Sequence, residues 1–257
     1  MAGRPNIQLM REQQEFIFGI RPVLEAVNSG TGIDKIMIRK GLKGELAIEL
    51  ISLIRHSGIP YQTVPVEKLN RITRKNHQGV IAFISLISYS PVEEVVQGTF
   101  EKGESPFILV LDGITDVRNF GAITRSAEVA GVHAIVIPEK GGAQINPDAI
   151  KTSAGALLSL PVCRTRNLEN TVLELKQYGL RIIGASEKSE KLFYQAGMTG
   201  PIAIIMGSED SGISPDLLDI CDEQVKIPRH GRIESLNVSA AAAVMVFEAV
   251  KQRDQAV

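Results

Sequence analysis

The sequence predicts an α/β protein of two units, each an alternation of strands and helices. Three observations predict this. Short Ile- and Val-rich runs recur between segments whose apolar residues fall at helical spacing. A stretch carrying Pro91, Gly98, Gly103 and Pro106 interrupts the alternation once. Beyond it, "FILVL", "AIVIP" and "IAIIM" are apolar without a break. Such runs suit strands buried on both faces of a mostly parallel sheet, with helices covering each face.

The elements of the first unit follow in order. "IFGIRPVLEAVNSG" places Ile20, Val23, Leu24 and Val27 on one helical face and stops at Gly30. "KIMIRK" is a strand, "ELAIELISLIRHSG" a second amphipathic helix, "PYQTV" a strand, "VEKLNRIT" a short helix and "GVIAFISLI" a strong strand. This unit spans residues 1–88. Residues 89–106 read as a linker holding one short helix.

Residues 107–257 form the second unit. "FILVLDGI" is a strand, "NFGAITRSAEVAG" a helix and "AIVIPE" a strand. "NPDAIKTSAGALLSLPV" and "NLENTVLELKQYG" are helices. "LRIIGAS" and "PIAIIMGS" are strands. "SPDLLDIC" is a short helix with Ser214 as N-cap and Pro215 in its first turn, and "EQVKIP" is a strand. The last segment, "HGRIESLNVSAAAAVMVF", joins a polar run directly to four alanines, Ala240 to Ala243. Side chains that small predict a helix packed closely against a neighbour.

Composition narrows the function. With 257 residues, 44% of them hydrophobic, the chain can build one or two cored domains. No apolar run reaches the roughly 18 residues of a bilayer span, and the first sixteen residues hold no apolar leader segment. Cys163 and Cys221 are far apart, and His56, His77, His133 and His230 show no ligand spacing. A cytoplasmic protein with reduced thiols and no metal is expected. The net charge of −1 conceals an asymmetry: residues 1–90 carry 12 Lys and Arg against 7 Asp and Glu, whereas the remainder carries 16 against 22. A basic first third is compatible with a polyanionic partner or with an uneven solvated surface.

Parallel sheets bind ligands at the carboxyl ends of their strands. Three strands of the second unit run there into polar, glycine-bearing segments: "TDVRNFGAITR", "SEDSGIS" and "RHGRIESLNVSA". No G-x-G-x-x-G follows the first strand of this unit, and no G-x-x-x-x-G-K-[ST] occurs anywhere. That disfavours an ordinary dinucleotide fold or a P-loop enzyme.

"NFGAITR" resembles the N-x-G-x-x-x-R signature of the SpoU (TrmH-like) RNA ribose methyltransferases of the SPOUT superfamily. "IAIIMGSEDSGIS" resembles their second motif and "IPRHGRIESLNVSAAAAV" their third. "FGIRPVLEAV" and "HQGVIA" are similar to the opening and closing marks of that family's small RNA-binding domain. The likeness spans nearly the whole chain and is strongest to the bacterial members that methylate a guanosine of 23S ribosomal RNA. It implies a deep trefoil knot in the second unit, S-adenosylmethionine as methyl donor, S-adenosylhomocysteine as product, and a homodimer.

The resemblance also implies roles. Arg125 is the catalytic arginine. Asn119 orients that arginine or the substrate ribose, and Glu209 holds the active-site loops. Ser235 and Asn237 face the methyl donor and the reacting ribose. Gly207, Ile227 and Leu236 meet the cofactor, with Ser235 and Asn237 beside them. From the residues alone, Asn119, Ser235 and Asn237 are also readable as caps or turns, Glu209 as a solvated carboxylate and Gly121 as a turn glycine; the resemblance implies that Gly121 lets the backbone come near the ribose. In the first unit Arg39, Lys40, Lys43, Arg71, Arg74, Lys75 and His77 are candidates for gripping RNA. A transfer-RNA methyltransferase of the same family and a non-catalytic RNA-binding assembly factor are the alternatives.

Overall fold

A computed structural model describes residues 15–232 and 235–256. The segment searched for a leader, up to residue 14, lies outside the described residues, as do Ile233 and Glu234 of the polar run. The chain divides into two compact units, one running to Ser88 and one starting at Tyr89; the short piece Ile145–Pro147 groups with the first.

The first unit holds β1 (Phe16–Phe18), α1 (Ile20–Asn28), β2 (Ile33–Arg39), α2 (Glu45–His56), β3 (Tyr61–Val64), α3 (Val66–Ile72) and β4 (Val80–Ile84). Its sheet has the order β1-β4-β2-β3, with β2 and β3 parallel and the other pairs antiparallel. The two-residue period of the strands builds a core on each face. Ile36, Ile38, Val80 and Ala82 join Val23, Val27, Leu50 and Ile54 of α1 and α2. Met37, Ile81 and Phe83 join Leu69 of α3. Ile17 and Phe18 open the segment read as the first helix; with Phe16 they instead form β1, which pairs with β4, and α1 starts only after Gly19.

The second unit holds α4 (Val92–Glu101), β5 (Phe107–Leu111), α5 (Val117–Val129), β6 (Ala134–Pro138), α6 (Pro147–Thr152), β7 (Val162–Thr165), α7 (Leu168–Gln177), β8 (Arg181–Ala185), β9 (Ile202–Met206), α8 (Pro215–Asp219), β10 (Glu223–Val225) and α9 (Val238–Gln255). Its six strands lie in the order β10-β8-β9-β5-β6-β7, and all five pairings are parallel. Every residue of β5 and β9 is buried. This is the parallel α/β sheet that the apolar runs predict.

Two expectations need correcting here. The segment 89–106 is not a bare linker, because Val92 and Val96 of α4 are buried in the core of the second unit. The long helix expected over 146–162 is broken. Ala154 and Gly155 take left-handed backbone angles, a short 3-10 turn follows at Ala156–Leu158, and Pro161 leads into β7. Proline cannot continue a helix, and Pro161 disfavours helical backbone at Leu160, so no helix runs on to β7.

One residue ties the last helix to the foot of the sheet. Arg253 donates to the carbonyls of Ser105, Pro106, Met198 and Gly200, and its guanidinium lies 4.7 Å from the Phe107 ring centre. Arg253→Ala is expected to lower stability by about 2–4 kcal/mol, since several charge-assisted bonds to carbonyls are lost together. Urea unfolding checks this: the midpoint falls while the slope is unchanged.

Candidate active site

The order of the second sheet places the site. β5 and β9 are neighbours, and the chain leaves β5 towards β6 on one side and reaches β9 from β8 on the other. Such a switch in direction opens a crevice at the carboxyl ends of the strands. Two of the three polar segments, those after β5 and β9, start at this crevice. The third follows β10 and ends in α9, which packs against α5.

Two helix starts converge there. Asp116 caps α5 by accepting the Asn119 backbone N–H at 2.7 Å. Asn119 is therefore not the cap; it sits in the first turn with its amide free to reach across. Asn237 caps α9, its Oδ1 accepting the Ser239 backbone N–H at 2.9 Å and the Ser239 hydroxyl. These caps supply acceptors for amides that a helix leaves unpaired.

Between the two starts stands Glu209. Its Oε1 accepts from Asn237 Nδ2 at 2.6 Å, from Asn119 Nδ2 at 3.2 Å and from the Val238 backbone N–H at 3.2 Å. Asn237 Nδ2 also donates to Asn119 Oδ1 at 3.0 Å. One carboxylate thus joins three segments that are far apart in sequence. It also lies against the amino end of α9, where a negative charge is favoured by the helix dipole.

The loop that carries Glu209 is held from both sides. Ser208 and Gly212 exchange backbone hydrogen bonds at 3.1 and 3.0 Å, and the Ser208 and Ser211 hydroxyls meet at 2.8 Å. A Cβ on Gly207 would lie 2.1 Å from the backbone of Gly212 and Ile213. No side chain fits there, so Gly207 is required by the fold of its own loop. Asp112, at the end of β5, accepts the Ser214 backbone N–H at 2.7 Å and fastens the far end of the loop. Sequence reading did not single out Asp112 or Asp116. The D-x-x-N spacing ahead of α5 was the available signal for Asp116.

Arg125 is exposed on α5, two turns beyond Asn119, and makes no hydrogen bond or ion pair among the described residues. It is not joined to the cluster of Asn119, Glu209 and Asn237. Six residues turn a helix by about 600°, which sets the two side chains on different faces. Gly121 serves packing: a Cβ there would meet the Thr152 side chain at 2.7 Å and the Ala149 carbonyl at 2.9 Å. It brings α5 against α6 from within the helix, and is not a turn glycine.

Ser235 and Leu236 precede Asn237 and are exposed, Leu236 to 49%. Ile227 is half-buried just after β10. An apolar side chain left open beside a polar cluster is a feature of ligand sites.

Among the described residues no group of three His, Cys, Asp or Glu could hold a metal ion, and no helix is long and apolar enough to cross a membrane. Burial, aided by the charge of Glu93, pushes the Cys163 thiol up to about 12. Burial, with the charge of Asp222, pushes Cys221 up to about 11, against the opposing effect of Lys176. Thiolate is the reactive form. Both cysteines are therefore expected to resist Ellman's reagent at pH 8 in the folded protein and to react at once in denaturant; time-resolved thiol titration checks this.

In the first unit Arg39, Lys40, Lys43, Arg71, Arg74 and Lys75 are exposed. His77 is not: it is 7% exposed, its Nε2 is bonded to Asn70 Oδ1 at 2.9 Å, and its Nδ1 accepts the Gly79 backbone N–H at 2.9 Å. Both ring nitrogens are used within the fold, so His77 cannot itself grip a ligand in this conformation.

Comparison with known proteins agrees with this architecture. The model of the SpoU rRNA Methylase family matches residues 106–247, and a model described as RNA 2′-O ribose methyltransferase substrate binding matches residues 16–90. A putative TrmH family tRNA/rRNA methyltransferase, YacO of Bacillus subtilis, is 32% identical, covering 95% of this chain and 98% of its own. The 23S rRNA (guanosine-2′-O-)-methyltransferase RlmB of Photorhabdus laumondii is 36% identical over 93% of this chain and 98% of its own. The crystal structure of the SpoU methyltransferase AviRb from Streptomyces viridochromogenes, in complex with the cofactor AdoMet, superposes with a TM-score of 0.60. It is 22% identical, with 97% of each chain covered, and this likeness is one of fold.

Proposed function

Because this chain belongs to the SpoU family of RNA 2′-O-ribose methyltransferases, we propose that it methylates the ribose of a guanosine in 23S ribosomal RNA, with S-adenosylmethionine as donor and no metal. The hydrogen-bonded cluster in which Glu209 joins the starts of α5 and α9, with Arg125 on α5 making no bond among the described residues, is the observation that carries the chemistry. The guanosine relative from Photorhabdus supports the choice of base and RNA.

The donor supplies an electrophilic methyl group on a sulfonium. The segment 207–212, half-buried Ile227, and Ser235, Leu236 and Asn237 suit it: tight main chain, open apolar surface and amide groups lie at one end of the sheet. Attack on the methyl needs a 2′-oxygen with alkoxide character. Arg125 stabilises the charge developing on that oxygen and fixes a neighbouring phosphate. A guanidinium has no acceptor site, so the proton of the 2′-hydroxyl passes to Glu128, a substrate phosphate or water, and S-adenosylhomocysteine leaves with the electron pair of the broken sulfur–methyl bond. Glu209 keeps the two asparagines and the start of α9 in fixed register, so the crevice is organised before substrate arrives.

The same reading includes a cytoplasmic homodimer and a trefoil-threaded chain in the second unit. Val129 on α5, Phe247 on α9 and Leu158 beside α5 are 65%, 45% and 42% exposed, and support a second copy against this helix pair. Exposed apolar residues grouped in this way mark contact surfaces.

The test is methyl transfer from radiolabelled donor to separate ribosomal and transfer RNA, with the product mapped by cleavage sensitive to 2′-O-methylation. Label at one guanosine of 23S RNA is the expected result. Label in transfer RNA would overturn the choice of substrate. Absence of label in both, with donor bound, would favour a non-catalytic assembly factor.

A further inference from the structure

The first unit contains a cleft of about 540 Å³ lined by Ile20, Leu42 and polar groups from two loops. Arg39 approaches from the end of β2, Lys43 from the loop that follows it and Lys75 from the loop before β4; Asn70, Asn76 and Gln78 complete the polar wall. Among the described residues no carboxylate lines it. None of the three cations makes an ion pair among the described residues. Three cations without an ion-pair partner around one opening create a positive potential that favours an anion; Lys75 Nζ also lies 5.9 Å from the centre of the Phe18 ring.

The loop that presents Lys75 is pinned. His77 holds it through Asn70 on one side and the Gly79 N–H on the other. Gln78 takes a left-handed φ of 53°, and its Oε1 accepts the Ile20 backbone N–H at 3.0 Å. The Gly79 carbonyl accepts the Arg39 N–H at 2.7 Å, and a Cβ on Gly79 would press on Arg39 and Leu42 at 3.1 Å. A non-glycine residue held in a left-handed conformation by three sets of contacts indicates a loop kept in one shape.

We propose that this cleft is a clamp for a backbone phosphate of RNA, with Arg39, Lys43 and Lys75 as its cations and His77 as a positioning residue that sets the loop. The proposal rests on the reading that the substrate is RNA, and adds that the first unit grips sugar-phosphate and does not read bases. Among the described residues the one aromatic ring on the cleft is that of His77, which is 7% exposed and held through both nitrogens, so it offers no open face on which to stack a base.

The experiment measures binding of the full chain to a labelled 23S fragment, without methyl donor, across a salt series. Arg39→Ala, Lys43→Ala and Lys75→Ala are each expected to weaken binding about threefold to tenfold at 0.15 M salt and to flatten the slope of log affinity against log salt by about 0.7 to 0.9. An unrelated RNA of equal length is expected to lose the same factor. In turnover, KM for RNA rises while kcat at saturating RNA is unchanged. His77→Ala removes no cation yet is expected to flatten the slope, with rescue by His77→Gln, whose amide offers both a donor and an acceptor. A triple cation variant with wild-type affinity and slope would overturn the clamp, and so would losses confined to one RNA sequence. Wild-type protein that binds RNA with these slopes but methylates none would refute the enzymatic reading and leave the clamp standing.

Discussion

Replacing Glu209 with alanine is expected to slow methyl transfer by about a hundredfold and to loosen the site at once. Its carboxylate accepts from two asparagine amides and from the first backbone N–H of α9. Without it the Asn119 side-chain amide loses its acceptor, Asn237 keeps Asn119 Oδ1 and its cap on Ser239, and the start of α9 loses an acceptor and a favourable charge. Small misplacements of groups that orient reactants are enough for that loss of rate. Because Glu209 is exposed, the stability cost is modest, about 2 kcal/mol. Glu209→Gln keeps an oxygen acceptor and should retain much of the stability but less of the rate. Measuring kcat and the urea midpoint on the same preparations separates the two effects. Glu209→Ala with wild-type kcat would show that the cluster is only a structural tie.

Arg125→Ala is expected to give the opposite profile, a large kinetic loss on an unaltered fold. The side chain is exposed and makes no bond among the described residues, so its removal should shift stability by less than about 0.5 kcal/mol. If it stabilises the developing charge on the attacking oxygen, kcat should fall by about 10²–10³. Affinity for the donor, measured by calorimetry, should stay the same. Arg125→Lys should recover only part of the rate, because an ammonium keeps the charge and loses the fork that pairs with phosphate. Unchanged kcat in Arg125→Ala would remove this residue from the reaction.

The parts of this protein legible in its sequence are those set by local pattern. Continuous apolar runs mark β5, β6 and β9 because strands buried on both faces need no alternation. The polar segments after β5, β9 and β10 mark the functional edge because a parallel sheet sends its strand ends to one side. Two short edge strands were not legible, although β3 and β10 were: β1 has three residues and borders a helix-like pattern, and β7 hides behind the broken helix at Ala154 and Gly155. Long-range chemistry was hidden too. Nothing near Asn119 announces a bond to Asn237, 118 positions away. Gly121 and His77 look functional in isolation, and only packing shows that one admits a neighbouring helix and the other pins a loop.

The account turns on the 2′-hydroxyl as methyl acceptor, and one measurement tests that directly. Once the modified nucleotide is mapped, an RNA fragment with 2′-deoxyribose at that single position is incubated with enzyme and radiolabelled S-adenosylmethionine beside the all-ribose fragment. Comparable binding of both fragments with label only in the all-ribose RNA is the predicted result. Label entering the deoxy-substituted fragment at that nucleotide would place the methyl on the base and contradict the mechanism.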